Sequence, residues 1–64
     1  MCLSTVYRGN AANPENKIAE YVTRIDTEED GSIILTDITG NELAFTGALK
    51  RIDLISNNIF VQIN

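Results

Sequence analysis

The chain has no histidine and no tryptophan, and only one cysteine, one methionine and one proline in 64 residues. A single cysteine excludes an intrachain disulfide, and the missing histidine excludes a His-rich zinc site. Cations are also few: Arg8, Lys17, Arg24, Lys50 and Arg51 stand against nine acidic residues. The net charge is −4 and the estimated pI is 4.4. Such a chain repels phosphate backbones, and no basic stripe offsets that, because only Lys50 and Arg51 are adjacent. No apolar run approaches the roughly 20 residues needed to cross a bilayer. No charged segment followed by an apolar stretch reads as a signal peptide. A free thiol without an export signal predicts a cytoplasmic protein with no membrane association.

What is present suits a small globular domain. Apolar residues make up 44% of the chain, which argues against disorder. Residues 1–64 are expected to form a single domain. A domain of this size buries only about 60% of its unfolded-state surface and is marginal alone. Without disulfides, its added stability is expected from self-association or an economical β core.

Short β-rich segments punctuated by turns run through the sequence. Residues 3–8 read as a first strand, and GNAANPEN (9–16) reads as a polar loop. Residues 17–26 are ambiguous. Ile18, Tyr21, Val22 and Ile25 sit at helical spacing behind Asn13 as N-cap and Pro14 at N1. The stretch Tyr21 to Ile25 nevertheless has high β propensity. Asp30-Gly31 predicts a hairpin turn. Strands are expected over 32–38 and 42–46, with a turn at 39–41 and a corner at Gly47-Ala48. A further strand over 50–55 places Ile52 and Leu54 on one face. After a turn at 56–58, a last strand points Ile59, Val61 and Ile63 one way. Five to six short antiparallel strands at this spacing predict an all-β fold, a small SH3-like or OB-like barrel.

Two segments imitate functional sites. In DTEEDGSIILTD (26–37), Asp26, Glu28, Asp30, Gly31 and Asp37 fall at calcium-loop positions. The expected Ile33–Thr36 strand stands where a helix should follow, and Asp37 is shorter than the bidentate Glu that closes such loops. A solvated hairpin turn explains the same residues. Lys50-Arg51, with Tyr7, Tyr21, Phe45 and Phe60 as stacking surfaces, would make a small RNA-binding or protein-interaction face. The surrounding negative charge makes nucleic acid an unfavourable partner.

The remaining oddity is the opening, MCLSTVY, where the sole thiol sits at position 2. Cys2 at a strand start serves as a small buried hydrophobe or an exposed thiol in the simplest readings. An N-terminal Cys nucleophile with its own amine as base is a third, but no oxyanion-hole loop accompanies it, and no enzymatic activity is expected. The metal reading uses position. If Met1 is removed, the Cys2 α-amine and thiolate close a five-membered chelate. If Met1 stays, its amine, the Cys2 amide nitrogen and the thiolate form fused rings. One such chelate is incomplete for a four-coordinate ion, and a two-fold dimer would supply the rest. Mixed N and S donors suit Ni(II), Cu(II), Cu(I) or Zn(II).

Met1-Cys2-Leu3 leading into a strand resembles the CooT family of small nickel-binding proteins. So does the later order of Phe45-Thr46-Gly47, Arg51-Ile52-Asp53-Leu54 and a final apolar strand. The resemblance implies a homodimeric SH3-like barrel and strand rather than helix over 20–26. It implies Ni(II) held by Cys2, with Met1 or the Cys2 backbone as nitrogen donor, in a metallochaperone role. The implied recipient is carbon monoxide dehydrogenase or its maturation machinery. Some members of that family are also described as RNA-binding.

Overall fold

The computed structural model describes residues 3–64. Five strands make up the fold: β1 (Ser4–Arg8), β2 (Lys17–Thr27), β3 (Ser32–Asp37), β4 (Glu42–Asp53) and β5 (Asn58–Ile63). They follow chain order around a closed barrel. Consecutive strands are antiparallel, but the ring closes through a parallel pair, β1 against β5, with Thr5 opposite Asn58 and Arg8 opposite Val61. Closure leaves no open sheet edge. The expectation of purely antiparallel strands is corrected by that one ladder.

Two long strands account for the count of five. In β4, residues 42–46 pair with β3, and residues 47–53 pair with β5. The expected corner at Gly47-Ala48 is the point where a continuous strand changes partner, so the segments 42–46 and 50–55 are one element. Gly47 is required there, because a Cβ at that position would overlap the Gln62 carbonyl oxygen. Leu54 leaves the strand for the β4–β5 turn and is 80% exposed, and Ile52, in the strand, is 52% exposed, so the two do not form an inward face.

The ambiguous segment is strand from Lys17 onward. Its start signal is real but short: Pro14–Asn16 form one 3-10 turn, closed by Asn16 N–H donating to the Asn13 carbonyl at 2.9 Å. The helical spacing has a β explanation. Register shifts interrupt the β1–β2 and β2–β3 ladders. Ala19 lies opposite the buried Val6, Val22 is itself buried, and Ile25 lies opposite the buried Leu35. Bulges thus stretch the inward alternation from two residues to three, which imitates a helical face. Tyr21 sits in the first of these irregularities with φ +57°, an outlier for an aromatic residue.

The core lies inside the ring. Val6, Val22, Ile33, Leu35, Ile59 and Val61 are buried, with Ile25, Phe45 and Ile63 packed against them. The expected inward face of β5 is therefore observed.

Candidate metal centre

Met1 and Cys2, the expected ligands, lie outside the described residues. The nearest described segment is Leu3 and the start of β1. Ser4 pairs with Val22 of β2, and Thr5 N–H donates to the Asn57 carbonyl at 3.0 Å. The start of β1 is thus fixed between the bulged part of β2 and the β4–β5 turn. Both flanks carry exposed apolar side chains. On one side stand Tyr21 and Ile38, each 57% exposed, joined by a 2.9 Å bond from Ile38 N–H to the Tyr21 carbonyl. On the other, Leu54 and Ile55 are 80% and 99% exposed. The pattern LISNN held the signal for that second flank, two aliphatic residues at the mouth of an Asn turn, but it read as a strand end.

The polar loop leaves the opposite end of β1. Gly9 N–H donates to the Val61 carbonyl at 2.9 Å, and Arg51 Nη2 donates to the Asn10 carbonyl at 3.0 Å. Loop 9–16 is therefore tied to β5 and β4, away from Leu3.

The calcium-like segment distributes its carboxylates differently from a chelating loop. Asp26 pairs with Arg24 at 2.8 Å. Asp30 accepts the Ser32 N–H, and Asp37 accepts from Thr39 Oγ1, Thr39 N–H and Asn41 N–H. Asp53 repeats the device by accepting from Ile55 and Ser56 N–H. Each of these three aspartates anchors a hairpin turn. Donation into the carboxylate favours its charged form. The Ser32 N–H thus lowers the Asp30 pKa, the Thr39 hydroxyl that of Asp37, and the Ser56 N–H that of Asp53. Among the described residues, no three Asp, Glu, Cys or His side chains come together as a metal cage.

Of the proposed stacking surfaces, only two meet. Tyr7 and Phe60 stack with centroids 5.8 Å apart on the outer face. Arg51 covers the Phe60 ring, with its guanidinium carbon 4.1 Å from the centroid. Phe60 is 3% exposed, so its ring is spoken for by protein groups. The sequence reading pairs Arg51 with Lys50 as a candidate nucleic-acid contact and misses this one.

No helix among the described residues is long and apolar enough to cross a membrane. No curated protein matches the chain. The sequence profile of one family, described as CO dehydrogenase accessory protein CooT, matches residues 1–62, and the chain belongs to that family. Membership implies an accessory role toward CO dehydrogenase rather than the catalytic one.

Proposed function

From CooT membership as premise, we propose that the chain is a nickel metallochaperone. It holds Ni(II) through the Cys2 thiolate and hands the ion on during CO dehydrogenase maturation. The observation that carries this reading is the family match, which spans position 2 and nearly all of the chain. The nitrogen donor is the Met1 amine or the Cys2 backbone nitrogen. The free thiol and α-amine titrate near 8.5 and 7.7–8.0, and a bound ion displaces both protons at neutral pH. Release needs only their return, or capture of the ion by an acceptor's ligands.

In this reading the molecule is a homodimer of SH3-like barrels sharing one ion. Two residues of backbone reach at most about 7 Å. Two copies sharing an ion through Cys2 therefore bring their β1 starts together, and Leu54 and Ile55 of the β4–β5 turn supply apolar area to bury. The core begins at Val6, so loading and unloading leave the barrel intact.

Replacing Cys2 by Ser is expected to abolish tight nickel binding while leaving the Tm of the metal-free protein unchanged. Equal affinity in the variant overturns the proposal. Native mass spectrometry with and without nickel reads Met1 retention, subunit number and ions per assembly together.

A further inference from the structure

Where β2 passes from β1 to β3 at Tyr21, it leaves a groove of about 450 Å³ at one mouth of the barrel. The floor is apolar: Val22 and Leu35 belong to the core, and Ile18 and Leu43 flank them. Leu43 lies opposite the buried Leu35 in the β3–β4 ladder yet is 43% exposed, and it lines the groove. The rim is acidic. Glu20, Asp37 and Glu42 line it, and no Lys or Arg does. Lys17 reaches Glu20 at 3.1 Å, but both side chains are substantially exposed, and such a pair exchanges readily with an incoming cation.

An apolar floor ringed by carboxylates selects a ligand with an apolar body and positive flanks. We propose that this groove docks a segment of a partner protein carrying one bulky aliphatic or aromatic side chain next to Lys or Arg. The apolar side chain fills the space over Val22 and Leu35, and the cations replace Lys17 against Glu20 and meet Asp37 and Glu42. A second copy of the chain is a poor occupant. It carries a net charge of −4, and in its one adjacent basic pair, Lys50-Arg51, Arg51 is engaged by Phe60 and Asn10. The proposal does not depend on nickel binding.

The test is selection of a displayed random heptapeptide library on the full chain, followed by fluorescence anisotropy with the enriched peptides. Enrichment of sequences with a bulky apolar residue beside Lys or Arg is expected. The double variant Glu20→Lys, Glu42→Lys should weaken their binding by about tenfold or more, and Leu43→Asn by a similar factor. All three side chains are exposed, so these variants should keep the wild-type circular dichroism and Tm. Cys2→Ser should bind the peptides as well as wild type, which separates this site from the metal. No enrichment, enrichment of acidic peptides, or unchanged binding in the variants overturns the proposal. So does a change in sedimentation mass on Leu43→Asn, which would mark the groove as an interface between copies.

Discussion

Arg51 joins two parts of the molecule that are far apart in sequence. Its guanidinium lies 4.1 Å from the centre of the Phe60 ring while Nη2 donates to the Asn10 carbonyl. Removing it exposes the outer ring face and unties loop 9–16. Arg51→Ala is expected to cost about 1 kcal/mol in urea denaturation, the usual size of a surface cation–π contact plus one hydrogen bond. Amide exchange should accelerate within 9–16 while the β3–β4 ladder keeps its protection. Unchanged exchange in the loop would show that Gly9 and the 3-10 turn hold it without Arg51.

Gly47 and Gly40 make a matched pair of tests. At Gly47 a methyl group has no room beside the Gln62 carbonyl, so β5 or β4 must shift. Gly47→Ala is expected to cost more than about 3 kcal/mol or to prevent folding. Gly40 has φ +89° but nothing within 4 Å of an added Cβ. Gly40→Ala should cost only the backbone term, about 1 kcal/mol. Equal losses at both sites, read from thermal melts, would contradict the close β4–β5 approach.

The turn aspartates set the acid behaviour. The Thr39 hydroxyl holds the Asp37 carboxyl below its ordinary value of 3.8. A carboxyl whose pKa is lower in the folded state contributes its stability at pH values above the unfolded-state pKa. That contribution is lost as the pH falls through the folded-state pKa. Asp30 and Asp53 act in the same direction. Urea midpoints should therefore hold steady from neutral pH down to about 5 and fall below about 4. Asp37→Ala should be less stable at neutral pH and show a shallower acid decline. An unchanged decline would assign the acid sensitivity to other groups.

The dimer reading makes its own demand. If the flanks of β1 meet a second copy, the double variant Leu54→Ser, Ile55→Ser should shift the sedimentation mass to the monomer. It should also weaken nickel binding by an order of magnitude or more. Because both side chains are exposed in the single chain, its intrinsic stability should change by no more than about 0.5 kcal/mol. A variant that still sediments as a dimer would move the interface elsewhere.

Much of the barrel was legible in the residues. Asp30-Gly31, Gly40-Asn41 and Asn57-Asn58 mark the turns, and the spacing of Ile59, Val61 and Ile63 marks the inward face of β5. Two of the errors share one cause. Where a strand is bent to serve two neighbours, local pattern misreports it: the bulges at Tyr21 imitate helical spacing in β2, and Gly47 imitates a chain break in β4. The parallel β1–β5 pair had no local signal, because it joins strands about fifty residues apart. Arg51 read as half of a basic pair because its partners, Phe60 and Asn10, are not its neighbours in sequence. For the candidate centre, Cys2 was conspicuous as the sole thiol. The acidic groove was invisible, because its rim residues are drawn from three strands.

The parallel ladder also fixes an order of events. During synthesis β1 emerges first and its neighbour β5 last among the five strands, so the ring stays open until about residue 63 has cleared the ribosome. Until then β1 lacks its β5 neighbour, and Val6 has no closed core to enter. A chain cut short before β5 would therefore leave β1 with an unpaired edge, open to another strand.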